Sequence, residues 1–240
     1  NSIGGFNTAV GFNALYSNTT AANNSAFGSS ALYGNTTGAN NVAIGTFSLL
    51  NNGAGASNTA VGVSTLRSNS ASNNTAIGYQ SLFSNTSGQF NTGLGSSVLY
   101  TNTTGSSNTG SGYFALYSNS SGSNNSAFGW SALGGNNIGA NNTAMGYKAL
   151  NANTSGGHNT ATGANALVAN TAGVSNNANG YNSLFNNTSG NFNTAEGDSS
   201  LYQNTTANNN VGLGYAALYS TSTGGLNTAV GNAAGFSNVS

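Results

Sequence analysis

Apolar and polar positions recur along this chain with a period of seventeen residues. Glycines mark the beat at Gly11, Gly28, Gly45, Gly62, Gly78, Gly95, Gly112, Gly129, Gly146, Gly163, Gly180, Gly197, Gly214 and Gly231. Only the step from Gly62 to Gly78 is one residue short. Counted from the asparagine four residues before each glycine, the unit reads Asn-Thr-Ala-(Val/Ile)-Gly-Tyr-x-Ala-Leu-Tyr-Ser-Asn-Thr-Thr-Gly-x-Asn. Position nine carries the large apolar residue, as Leu15, Leu32, Leu49, Leu66, Leu82, Leu99 and Leu116, and on to Leu218; only Gly235 breaks the column. Position three is always Ala or Gly, and position eight is nearly always Ala or Ser. One large residue flanked by small ones describes a thin Leu/Ala core between closely approaching layers.

Each unit holds Gly at position five and usually at fifteen, with Asn-Thr-Thr or a relative between. The stretches left between these breakers suit strands and are too short for helices. The pattern predicts an all-β chain, a parallel β-solenoid or β-roll of about fourteen coils, each coil made of two short strands and two turns. At a rise of about 4.8 Å per coil the stack would measure roughly 65–70 Å. The uniform period predicts one continuous array over 1–240, part of a longer fibre or a head-to-tail filament subunit. The chain starts at Asn1, position twelve, and stops at Ser240, position fourteen, with no polar cap at either end. The expectation is a mature chain or a fragment whose array continues or meets another subunit.

Two columns are close to obligate Asn. Position one includes Asn7, Asn24, Asn41, Asn58, Asn74 and Asn91; position twelve includes Asn18, Asn35, Asn85 and Asn102, with Thr221 its one exception. A carboxamide both donates and accepts, so stacked Asn residues form a ladder. Asp there would repeat a negative charge in every coil, at about 3.5 kcal/mol per neighbouring pair before screening. The alternative reason for Asn is its tolerance of the left-handed turn conformation. Positions six and ten carry most aromatics, including Tyr79, Trp130 and Tyr181 at six and Tyr16, Tyr33 and Tyr100 at ten. Position ten also accepts Arg67 and position six accepts Asp198, so these stripes belong on an outer or intersubunit face. There they either stabilise the stack or bind carbohydrate or another subunit.

Composition narrows the function classes. Only Arg67, Lys148, Glu196 and Asp198 are charged, and the net charge is zero. Phosphate backbones and anionic lipid surfaces have no electrostatic partner here, so neither nucleic-acid binding nor a polybasic anchor is expected. No run of about eighteen apolar residues exists, which argues against membrane insertion. The chain has no cysteine, so disulfides and thiolate metal sites are excluded. The regular Leu column separates the chain from disordered polar sequences.

Chemistry finds few candidates. His158 is the only histidine and sits in a Gly-Gly-His-Asn turn. Glu196 and Asp198 share a face in a strand, with Asn179 one coil before Glu196. They could hold a cation or form acidic rings in a trimer, but the ligands are too few for a metal site to be expected. Ser and Thr are abundant without a repeated general base. No catalytic residue, cofactor or metal is therefore expected. Asn-x-Ser/Thr sequons at Asn18, Asn35, Asn102, Asn119 and Asn204 are possible glycosylation points.

The phrases Asn-Thr-Ala-Val-Gly at 7–11, Asn-Thr-Ala-Ile-Gly at 74–78 and Asn-Thr-Ala-Met-Gly at 142–146 resemble head repeats of trimeric autotransporter adhesins. The longer unit with Ala-Leu-Tyr-Ser-Asn-Thr-Thr-Gly is similar to repeats of phage-type tail fibre proteins and related bacterial surface proteins. The resemblance implies a parallel β-roll, often homotrimeric, displayed outside a cell or on a virion. The expected function is a non-enzymatic extracellular fibre or filament with a surface-attachment role. Its expected partners are further copies of the chain, head to tail or as a homotrimer, and surface glycans. A flat repeated face suggests ice or polysaccharide binding as the alternative. The Thr column at position two favours this, although Val42, Asn177 and Val211 interrupt it.

Overall fold

The structure, a computed structural model, describes residues 4–238; Asn1 and Ser240 lie outside them. The chain divides into two compact units, Asn1–Ser121 and Gly122–Ser240. The first holds β1 (Thr8–Val10), β2 (Ser25–Phe27), β3 (Val42–Ile44), β4 (Thr59–Val61), β5 (Thr75–Ile77), β6 (Thr92–Leu94) and β7 (Thr109–Ser111). The second holds β8 (Ser126–Phe128), β9 (Thr143–Met145), β10 (Thr160–Thr162), β11 (Asn177–Asn179), β12 (Thr194–Glu196), β13 (Val211–Leu213) and β14 (Thr228–Val230). Within each unit consecutive strands pair in parallel, position two on two and three on three, as in Ala9 with Ala26 and Ala161 with Ala178. Each unit is thus a β-solenoid, all-β among the described residues, with one repeat per coil.

The side chain at position three points inward and those at two and four point out, the alternation a strand requires. Ala26, Ala43, Ala60 and Ala76 are fully buried beneath β2 to β5. Above them lie the leucines of position nine, every one from Leu32 to Leu218 fully buried and Leu15 nearly so. The one-residue deletion falls between Asn69 and Ala71, inside a turn. Register survives it, with Thr59 opposite Thr75.

The second strand expected in each coil is not there. Positions six to eleven are a run of turns, and the reason is a reversal of φ at two L-residues. Position seven has φ near 55°, as at Ser30 (56°), Gln80 (53°) and Lys148 (54°); position nine is the leucine itself, as at Leu32 (53°), Leu49 (49°) and Leu99 (52°). A β-strand sends neighbouring side chains to opposite faces, yet Ala31 and Leu32 are both fully buried. The left-handed turn at the leucine swings its Cβ to the same side as its neighbour's. That conformation costs an L-residue about 1–2 kcal/mol, while burying a Leu side chain returns about 1.5–3 kcal/mol, so the burial wins. The backbone still bonds between coils: the amide of Leu32 donates to Ser48 O at 3.0 Å and that of Gly34 to Leu50 O at 2.7 Å.

The glycine at position five is explained by close approach. Its φ lies near +130°, as at Gly45 (128°) and Gly62 (135°). A Cβ on Gly45 would sit 2.5 Å from Gly62 O and 2.7 Å from Gly62 C.

Candidate functional site

The most organised chemistry is internal. In the first ladder, at position one, the carboxamide oxygen accepts the backbone amide of the next rung and at most rungs its Nδ2 as well. Beside the one-residue deletion, Asn58 and Asn74 turn Nδ2 to Asn52 and Asn69 Oδ1 of the other ladder instead. Asn24 Oδ1 takes the Asn41 amide at 2.9 Å and Asn41 Nδ2 at 3.1 Å; Asn7 does the same for Asn24. Asn58 passes its oxygen to the amide of Asn74 at 3.0 Å, and Asn74 to that of Asn91 at 3.0 Å. In the second ladder, at position twelve, Nδ2 donates to the rung before: Asn52 to Asn35 Oδ1 at 2.8 Å, Asn85 to Asn69 Oδ1 at 2.7 Å, and Asn102 to Asn85 Oδ1 at 2.7 Å. The two ladders converge on one backbone carbonyl per coil. Gly105 O accepts Asn91 Nδ2 and Asn102 Nδ2, both at 2.9 Å, and Gly88 O accepts Asn74 Nδ2 and Asn85 Nδ2 likewise. Both lone pairs of these buried carbonyls are used, where an unpaired polar group would cost about 1–3 kcal/mol. None of the ladder asparagines has positive φ, so hydrogen bonding and not turn tolerance selects them.

The ladder also settles what position twelve can do chemically. Asn35, Asn102, Asn119 and Asn204 are fully buried and Asn18 nearly so. Asn102 Nδ2 has two acceptors, Asn119 Nδ2 donates to Asn102 Oδ1 at 2.8 Å, and Asn204 Nδ2 to Asn187 Oδ1 at 2.7 Å. An N-glycan replaces a hydrogen on that nitrogen, so in this fold these five sequons cannot carry one. Sequons at position seventeen are open instead: Asn23, Asn73, Asn124 and Asn141 are exposed. Their motif borrows the ladder Asn as its middle residue, which hid it among the asparagine pairs.

The aromatic columns lie outward, as expected. At position ten, Phe83, Tyr100 and Tyr117 stack at 5.0 and 5.2 Å, and Phe185, Tyr202, Tyr219 and Phe236 at 5.0, 5.0 and 4.9 Å. Neighbouring rings cover one another's faces and present their edges to solvent. Arg67 takes one place in this column, its guanidinium 5.7 Å from the Phe47 ring and 5.6 Å from Phe83. Lys148 similarly lies 5.4 Å from Trp130 and 5.5 Å from Tyr147. Both cations are held by ring quadrupoles.

A column the sequence left unassigned is position four. In the first unit it carries Val10, Phe27, Ile44, Val61, Ile77 and Leu94 in succession, on the outward side of the strands. All but the half-buried Val61 are exposed. The alternation along a three-residue strand was the available signal, since an inward position three forces four outward. In the second unit the same column begins and ends apolar, with Phe128, Met145, Leu213 and Val230, and is polar only at Thr162, Asn179 and Glu196 between them.

Here the acidic pair meets its neighbours. Glu196 accepts Asn177 Nδ2 on Oε1 and Asn179 Nδ2 on Oε2, each at 3.0 Å. Asp198 Oδ1 accepts the amide of Tyr181 at 3.0 Å. His158 is an exposed turn residue with φ 59° whose amide donates to Ala140 O at 3.1 Å. Among the described residues no three metal-ligating side chains come together, and no helix is long and apolar enough to cross a membrane. Compared with known protein families, characterised proteins and solved structures, the chain matches none.

Proposed function

We propose that the chain is a non-enzymatic structural protein whose copies associate into an extracellular fibre or filament. The observation that carries this reading is the outward apolar column of the first unit, from Val10 to Leu94, on a coil whose inner polar groups are already paired. Six apolar side chains spaced by about 4.8 Å make a row about 24 Å long. A contiguous exposed apolar stripe of this kind marks an interaction surface. The face has no charge with which to recognise a charged partner. Its regular rise is matched over many coils only by another stack of β-coils, which a second copy supplies. The extracellular setting rests on the resemblance of the repeat to adhesin heads and tail fibres.

Electron cryo-microscopy and sedimentation of the purified chain test the proposal. Filaments, or rods of defined copy number such as trimers, are the expected result. Ile44→Glu, on the exposed column, should disperse them without unfolding the coil. A chain that stays monomeric at the highest attainable concentration refutes association. So does association that survives both Ile44→Glu and Ile77→Glu.

A further inference from the structure

The outward column of the second unit reads alike from either end. Phe128 and Met145 open it, Thr162, Asn179 and Glu196 form its middle, and Leu213 and Val230 close it, one residue per strand from β8 to β14. Two apolar residues, three polar and two apolar are symmetric about Asn179 on β11. These strands pair in parallel without a break, position four on position four, so the column advances by about 4.8 Å per coil. Phe128, Met145 and Val230 are 42%, 47% and 68% exposed, and Leu213 is half-buried. Position two repeats the symmetry on the same face, with Asn177 at its centre and Thr160 and Thr194 on either side.

Such a face fits a copy of itself, and its charge decides the direction. Facing sheets pack about 10 Å apart. A twofold or threefold axis along the stack sets every coil level with its own copy, so the Glu196 carboxylates lie at one level and repel. A twofold axis along β11 reverses the second stack instead. Phe128 then meets Val230 of the second copy, Met145 meets Leu213, Asn179 meets Asn179, and Glu196 meets Thr162. The two Glu196 carboxylates stand two coils apart, about 10 Å along the stack, which exceeds the screening length of about 8 Å. Their polar needs are also met. Glu196 accepts Asn177 Nδ2 and Asn179 Nδ2 on separate oxygens, each at 3.0 Å, and each oxygen has a further lone pair for a threonine hydroxyl. Asn179 spends one N–H on Glu196 and offers the other, with its oxygen, to its own copy. A slip of one coil would set Glu196 against Met145, or Thr162 against Leu213, and bury a polar group on an apolar one.

We infer that two copies pair face to face through their second units, with the stacks antiparallel and the twofold axis over Asn179. The inference rests on the self-association proposed above and adds the direction in which the copies face.

The chain has no cysteine, so single introduced thiols report neighbours without background. Phe128→Cys and Val230→Cys, both at exposed sites, are prepared as full chains of distinguishable mass, mixed at high concentration and treated with a short bismaleimide. In the antiparallel pair position 128 faces position 230, while like positions lie six coils, about 29 Å, apart. The expected result is dimers joining 128 to 230, with only traces from either variant alone. Thr162→Lys, which sets an ammonium opposite Glu196 twice per dimer, should tighten the pair about threefold or more at low salt; in a parallel pair it would set lysines level and weaken it. Either variant cross-linking to itself as readily as to the other overturns the inference, and so does weakening by Thr162→Lys. Association by sedimentation without the 128–230 link overturns it while leaving the fibre reading intact. A chain monomeric throughout overturns both.

Discussion

The second ladder contains one defect, and repairing it should stabilise the protein. Twelve rungs of position twelve from Asn18 to Asn204 are Asn, and the next is Thr221. A hydroxyl at that place does not reach back, and Asn204 Oδ1 is left buried without a hydrogen-bond partner. One coil earlier the same oxygen, Asn187 Oδ1, takes Asn204 Nδ2 at 2.7 Å. Thr221→Asn would supply the missing donor and a second bond to Gly224 O, which now accepts Asn210 Nδ2 alone of the two ladders, at 2.9 Å. It would forfeit the bond from Thr221 Oγ1 to Asn238 O at 3.1 Å, which is only part-buried. An unsatisfied buried acceptor costs about 1–3 kcal/mol and an ordinary hydrogen bond is worth about 1 kcal/mol. The net gain is about 1–2 kcal/mol. Repeat proteins open locally, so a single melting point is a poor probe. Amide hydrogen exchange across residues 204–227 reads the right coils. Protection there should rise about five- to thirtyfold, the population change that one or two kcal/mol implies. Thr221→Val, which removes the hydroxyl without adding a donor, should give no gain. Unchanged or faster exchange in Thr221→Asn, with the fold intact, would refute the ladder as a source of stability.

Four further outcomes are expected. Asn91→Asp keeps shape but loses donation to Asn74 Oδ1 and Gly105 O, a loss of about 3–5 kcal/mol at neutral pH. Burial among acceptors raises the new carboxyl's pKa above its unfolded value of about 3.9, so the folded state binds the extra proton. Stability therefore falls as pH rises from acid to neutral, and denaturant midpoints measured against the parent at each pH should show it. Gly45→Ala, colliding with the Gly62 carbonyl, should drop the midpoint by several kcal/mol or abolish folding, read by circular dichroism. Gln80→Gly, which relieves a left-handed φ of 53°, should raise stability by up to about 1 kcal/mol in the same assay. Secreted through a glycosylating host, the folded chain should carry glycans on exposed Asn23, Asn73, Asn124 or Asn141 and none on Asn102 or Asn204, checked by site mapping after enzymatic release.

Much of this fold was legible because a stack repeats its constraints. A glycine demanded by a carbonyl one coil away is demanded again in the next coil, so Gly11 to Gly231 form a visible column. The same logic exposes the Leu and Asn columns. The turns were less legible. Left-handed φ normally selects Gly, Asn or Asp, but at positions seven and nine it falls on Phe47, Gln80, Lys148 and every core leucine. The surviving clue was that Ala and Leu are adjacent and both wanted burial, which no strand allows. The convergence of two ladders on one carbonyl was invisible because its acceptor is backbone. The polar island showed only as Asn177 interrupting the Thr column and as an acidic pair two residues apart.

The four charges carry the argument one step further. In a stack, a charged position faces its counterpart in the coils on either side, so a run of like charges would repel at every step. Each charge here has uncharged neighbours in its own column: Leu50 and Phe83 around Arg67, Ser131 and Asn165 around Lys148, Asn179 and Leu213 around Glu196, Tyr181 and Tyr215 around Asp198. Each is also met by a matching group, rings for the two cations and N–H donors for the two carboxylates. Charge is thus tolerated singly, on the outside, and with a partner. Adding a second acid beside Glu196 by Asn179→Glu would keep the charge outside but break the other two conditions, and it would remove the donor to Oε2. It should therefore destabilise β11 and β12 more than the same change at an exposed turn such as Asn23.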